Sequence, residues 1–113
     1  MEKLKKLARL KDFMSLIKVA NVNEIKPGDG KKIEVNGEGI VIWNVDGKFF
    51  ATTSTCHHAG GPLDEGYLSI NVITCPLHGW KYDVTTGKST VAPTIQIKTY
   101  PVKVENNEIF VDV

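Results

Sequence analysis

The sequence predicts an all-β, antiparallel fold, and three observations carry that expectation. From Ile33 onward the apolar residues recur at every second position (Ile33 and Val35; Val41, Trp43 and Val45; Phe49 and Ala51), the repeat of a strand with one buried face. Asp46-Gly47 and Asn106-Asn107 fall between such runs, and both pairs suit tight turns because their residues tolerate positive φ. The helical repeat, with apolar residues three or four apart, is confined to the N-terminus.

Taken in order, Leu4, Leu7, Ala8, Leu10, Phe13, Met14 and Ile17 lie at helical spacing with lysines between them, which predicts a short amphipathic helix. Residues 1–13 are read as a basic N-terminal extension and 14–113 as the domain, which Met14 could itself open. The runs at 33–35, 41–45 and 49–51 read as strands, the last two forming a hairpin across Asp46-Gly47. Residues 68–74 (LSINVIT) read as one strand, Thr86-Gly87 as a turn, and 95–99, 102–104 and 109–113 as late strands, with Asn106-Asn107 turning the last pair. Two stretches break the pattern: 56–66 (CHHAGGPLDEG) and 75–83 (CPLHGWKYD), both rich in Gly, Pro and ligand-type side chains. Loops held by a rigid scaffold are where function concentrates.

A chain of 113 residues is the size of one domain, which excludes a multidomain enzyme. Fourteen basic and 13 acidic side chains leave a formal charge of +1, so no single-sign field points to nucleic acid or to a membrane surface. Charge is nevertheless uneven: residues 1–12 carry a net +3 and the rest −2. The apolar stretch at 13–20 is broken by Ser15 and Lys18 and has no cleavage pattern after it, and no run approaches a membrane span, so a cytoplasmic, unanchored protein is expected. Two cysteines are too few for a secreted disulfide framework.

Both cysteines and all three histidines fall in two short windows, Cys56-His57-His58 and Cys75-Pro76-Leu77-His78. A lone cysteine is usually a small buried hydrophobe and a lone histidine a hydrogen-bonded bystander, but such clustering is not a scatter. In an extended segment side chains two apart share a face, so Cys56 and His58 can reach one site while His57 points away and is no ligand. In the second window a turn must bring Cys75 and His78 together, and Pro76 and Gly79 suit one. Gly60, Gly61, Gly66 and Gly79 allow close backbone approach. Several chemistries compete for these residues. A Cys–His nucleophile needs only one of each and leaves the duplication unexplained. A Cys56–Cys75 disulfide leaves the histidines idle. A structural zinc site of two Cys and two His fits the donors, although the order and spacing differ from the usual fingers.

The pattern C-x-H, 16 residues, C-x-x-H, set in CHHAGGPL and CPLHGWKYDVTTGKS, closely resembles the Rieske iron–sulfur family. The resemblance spans residues 14–113 and implies a Rieske-like antiparallel β-sandwich or barrel with two cluster-binding loops. By the same resemblance one [2Fe-2S] cluster is the cofactor, with Cys56 and Cys75 on the inner iron and His58 and His78 on the outer, solvent-facing one. Gly60, Gly61, Gly79, Trp80, Tyr82 and Pro93 would surround it, Pro93 in a loop that shields the cluster.

Rieske proteins of respiratory and photosynthetic complexes have two further cysteines and a membrane anchor, which this sequence lacks. They place Ser where this chain has Trp80, and that hydroxyl bond to a sulfide favours the reduced state. A potential in the lower half of the roughly −150 to +300 mV Rieske range is therefore expected. Tyr82 stands where the high-potential class has its sulfur-bonding tyrosine, though core packing would also account for it. A mononuclear-iron oxygenase needs two more histidines and a carboxylate, and only His57 remains. The glycines at 28–30 and 37–39 lack nucleotide-binding spacing. Together these features imply a monomeric, non-enzymatic electron carrier, a soluble Rieske-type ferredoxin between a ferredoxin reductase and a terminal oxygenase or other acceptor, with neither nucleic acid nor membrane as partner. The alternatives are a non-catalytic subunit resembling the small subunit of nitrite reductase, and a zinc-stabilised binding module. By charge counting the extra electron belongs on the outer iron, so its exit would be an apolar tip rimmed by Pro62, Leu77, Trp80 and Pro93.

Overall fold

Ten short strands make three antiparallel sheets, in a computed structural model that describes residues 16–56, 60–77, 79–92 and 94–113. Strands β1 (Leu16–Asn21), β9 (Val102–Glu105) and β10 (Glu108–Asp112) form one sheet in the order β1-β10-β9. The second is β2-β3-β4-β8, from Gly30–Val35, Glu38–Val45, Lys48–Thr53 and Thr99–Tyr100. The third, smaller sheet is β5-β6-β7, from Tyr67–Ser69, Val72–Thr74 and Lys81–Asp83. The proposed N-terminal helix over 1–13 lies outside the described residues.

The hairpins sit where the turn chemistry put them. Asp46 and Gly47 take φ of 52° and 89°, and Asn106 and Asn107 take 52° and 62°, between strands in perfect register on either side. Three expectations are corrected. Ile17, counted in the helical repeat, belongs to β1, because its pairing with Val111 on β10 is a contact with the far end of the chain that no local pattern reveals. Residues 68–74 are not one strand but the hairpin β5-β6, turned at Ile70-Asn71. Residues 95–98 form no strand of their own: Gln96 makes an isolated bridge to Lys88 and Lys98 O accepts from Thr53 N–H before β8 begins at Thr99.

Strand β3 organises the molecule because it is buried on both faces, from Ile40 through Asn44. Ile40 and Ile42 enter a core with Ala20, Ile25, Val35, Ala51, Tyr100, Ile109 and Val111, between the two larger sheets. Val41 and Trp43, pointing the other way, join Leu63, Ile73, Tyr82, Val84, Ile97 and both cysteines under the small sheet. Opposite faces of one strand thus bind the scaffold to the loop-bearing part. Its polar groups are satisfied: the Trp43 indole N–H donates to Thr52 Oγ1 (2.9 Å), and the Asn44 amide donates to Ile25 O (2.8 Å) while accepting from Gly47 N–H (2.8 Å).

In the first core, burial, then the 2.7 Å bond that its hydroxyl donates to Glu38 Oε2, pushes the Tyr100 pKa up to about 12 from 10.0. A phenol raised in the folded state stabilises the fold fully below pH 10, and that contribution is lost as pH climbs through 12. Tyr100→Phe should therefore flatten the fall of melting temperature between pH 10 and 12, as differential scanning fluorimetry would show.

Candidate functional site

The two loops at which both cysteines start are built alike. Loop 1 leaves β4 and is zipped at its base, where Ser54 N–H donates to Gly39 O (3.0 Å), Leu63 N–H donates to Ser54 O (2.9 Å), and Thr55 bridges Pro62. Inside it, Cys56 N–H donates to Gly61 O (2.8 Å) and Gly60 N–H to Cys56 O (2.9 Å). Loop 2 leaves β6, where Cys75 N–H donates to Trp80 O (2.7 Å) and Gly79 N–H to Cys75 O (3.1 Å). In each, the cysteine N–H reaches the fifth residue onward and its carbonyl the fourth. That fourth residue is a glycine with positive φ, 69° at Gly60 and 75° at Gly79, a conformation that L side chains resist. The repeated C-x-x-x-G is the sequence signal of this equivalence; the glycines are visible in the sequence, their common register only in the structure.

The loops deliver both thiols to one place. Cys56 and Cys75 are each 2% exposed, occupy the same core, and form no disulfide. Gly61 of loop 1 lies so close to loop 2 that a Cβ there would be 2.8 Å from Cys75 Sγ and 2.9 Å from Leu77 Cγ. Tyr82 on β7 is fully buried, with its hydroxyl 3.3 Å from Cys56 Sγ. Toward a thiolate that hydroxyl is the donor, since only it carries a proton. Trp80 is half-buried against this core, whereas Leu77 is exposed. The segment 75–83, read as irregular throughout, ends in strand β7, which is what aims Tyr82 inward.

A third loop hangs from Tyr82 through its bridge to Ser89. Ser89 N–H donates to Ile95 O (2.9 Å), and its buried hydroxyl accepts from Val91 N–H and Ala92 N–H (3.2 Å each). Ser89 was not singled out from the sequence; a serine opening a turn ahead of Ala92-Pro93 was the available signal. His57, His58, His78 and Pro93 lie outside the described residues.

A model of the Rieske [2Fe-2S] domain matches residues 15–101. The chain belongs to the Rieske [2Fe-2S] family. It is 40% identical over 100 residues to the ferredoxin component of biphenyl 2,3-dioxygenase from Rhodococcus jostii (strain RHA1), covering 88% of this chain and 94% of that protein. To the ferredoxin component of the naphthalene 1,2-dioxygenase system of Pseudomonas putida it is 39% identical over 97 residues, 85% of this chain and 93% of the other. Among solved structures, the ferredoxin of carbazole 1,9a-dioxygenase from Nocardioides aromaticivorans IC177 superposes with a TM-score of 0.81 at 30% identity, covering 86% of this chain and 96% of its own.

The cofactor of this Rieske domain is one [2Fe-2S] cluster. The described residues fit it: two buried thiols on equivalent loops, and a glycine cradle at Gly61 that leaves the Cys75 sulfur room. Tyr82→Phe should lower the reduction potential. A hydroxyl bond that favours the reduced state by about 1 kcal/mol corresponds to roughly 40 mV in a one-electron couple. Protein-film voltammetry on the two proteins reads this directly, and an unchanged potential would leave Tyr82 with packing alone.

Proposed function

We propose that this protein is a one-electron carrier, a Rieske-type ferredoxin that accepts electrons from a ferredoxin reductase and delivers them to a terminal oxygenase. What supports the reading most is that two buried thiols on matched loops occur in a chain similar over most of its length to ferredoxin components of dioxygenase systems. Cys56 and Cys75 would hold one iron, and His58 and His78 the other. When bound, the cluster supplies the redox chemistry, one electron taken up and one released. The chain's own part is to bind the irons, to donate the Tyr82 hydroxyl toward Cys56, and to exclude water through the core around both thiols. With those four as ligands, only His57 remains among the histidines, too few for the mononuclear iron of an oxygenase, which favours a carrier over an enzyme. The relatives being ferredoxin components favours the carrier over a nitrite-reductase-type subunit.

Among the described residues no helix is long and apolar enough to cross a membrane. Cysteines that form no disulfide suit a reducing compartment, and we place the protein in the cytoplasm as a monomer whose domain spans 14–113. Iron and acid-labile sulfide analysis of the purified protein tests the cluster, with two of each expected per chain. Turnover of an oxygenase by its reductase only when this protein is added tests the carrier. Stoichiometric zinc without sulfide would overturn both.

A further inference from the structure

The outer face of the small sheet has no role in the fold that its composition explains. Tyr67, Ile70, Val72, Thr74, Lys81 and Thr90 line an open groove of about 540 Å³ on it. The inner face, through Ile73 and Tyr82, is already buried. Among the described residues the three most exposed large apolar side chains are Ile70 at 83%, Val91 at 76% and Tyr67 at 72%. Two of them are in this groove, and the third follows Thr90 at its rim. Thr74 and Lys81 flank the second cysteine loop on either side, so the face runs from Leu77 and Val91 beside the site to the hairpin tip at Ile70. Exposed apolar side chains gathered on one face, and not scattered singly, suit contact with another molecule.

The tip adds a second, independent observation. Ile70 takes φ of 58°, a left-handed conformation that disfavours β-branched side chains. The other non-glycine residues with positive φ are Asn36, Asp46, Asn106 and Asn107, the types that tolerate it. An isoleucine here strains the turn and buries nothing in this chain. Strain kept at an exposed position points to a use outside the fold.

We propose that this face is where the oxygenase acceptor docks, with Ile70 and Tyr67 seated in an apolar hollow of the oxygenase and Lys81 facing one of its carboxylates. The proposal rests on the carrier reading. The face is continuous with the loops where the electron must leave, and among structures similar to this chain is a ferredoxin in complex with the oxygenase of carbazole 1,9a-dioxygenase, at a TM-score of 0.81. Lys81 is available for a partner's carboxylate, being exposed and within ion-pair distance of no acidic side chain among the described residues.

The test uses Ile70→Asn, Tyr67→Ala and Lys81→Glu in the full chain. Dithionite-reduced protein is mixed in a stopped-flow instrument with the oxygenase component of the Rhodococcus jostii biphenyl 2,3-dioxygenase system, and separately with ferricyanide. Each variant should lose about tenfold in the second-order rate with the oxygenase, the scale of one truncated docking contact, while Ile70→Asn and Tyr67→Ala, which leave the charge unchanged, should lose nothing with the ferricyanide trianion. Ile70→Asn should also melt a few degrees higher, since it relieves the turn, so stability and transfer move in opposite directions. Unchanged rates with the oxygenase would overturn the docking face. A loss seen only when the reductase of that system is the partner would reassign the face and overturn this proposal. Wild-type protein that reduces ferricyanide but not the oxygenase would instead count against the carrier reading itself.

Discussion

Cys75→Ser and Cys56→Ser should each give protein without visible charge-transfer absorption and with iron near zero. A serine hydroxyl is not deprotonated at neutral pH and is a far poorer partner for iron than a thiolate, so one of the four proposed ligands is lost outright. Neither site can recruit a substitute, because both side chains are 2% exposed and the chain has no third cysteine. The loops should survive as backbone, since the bonds from Cys56 N–H to Gly61 O and from Cys75 N–H to Trp80 O do not involve sulfur. Circular dichroism should therefore keep its β signature while iron and sulfide analysis falls to background. His57→Ala is the matching control and should keep two irons and two sulfides. Loss of the cluster in that variant would show that the ligand register in the first window is wrong.

How far the sequence could be read depended on whether the deciding contact was local. Asp46-Gly47 and Asn106-Asn107 were legible because their conformational preference resides in the residues themselves. The cysteine windows stood out because both cysteines and all three histidines crowd into seven positions, and the structure brings the two thiols into one core. Ile70-Asn71 was not, since an isoleucine at positive φ is what turn chemistry argues against, and LSINVIT therefore read as one continuous strand. Strand β1 was hidden for another reason: Ile17 continued a helical repeat, and only β10, some 90 residues away, makes it a strand. Alternation found Val41, Trp43 and Val45 but undervalued Ile40 and Ile42, because a strand buried on both sides has no polar face to mark its period. Of the site, the two thiols were readable and the equivalence of the loops was not, because it lies in backbone hydrogen bonds.

Gly61→Val is expected to cost the cluster nearly as completely as loss of a cysteine, although Gly61 is not a ligand. The residue is buried and, unlike Gly60 and Gly79, does not have positive φ, so the penalty is steric and not conformational. A Cβ at 61 would meet Cys75 Sγ at 2.8 Å and Leu77 Cγ at 2.9 Å, below any ordinary van der Waals contact. Leu77 is 54% exposed and can swing away. The Cys75 sulfur, a proposed iron ligand, has no such freedom: it is 2% exposed, and moving it would take it off the iron. Valine adds two methyls to that conflict where alanine adds none, so the order of cluster retention should be glycine, then alanine, then valine. Gly60→Ala separates the two kinds of cost: with φ of 69° and Thr55 Cγ2 as its nearest neighbour at 3.8 Å, it should lose about 1 kcal/mol of stability and keep its iron. Iron per chain and the rate of bleaching by a chelator rank the four proteins. Full occupancy in Gly61→Val would mean that loop 1 can retreat from Cys75, and that the close approach of the two loops is not what holds the sulfur in place.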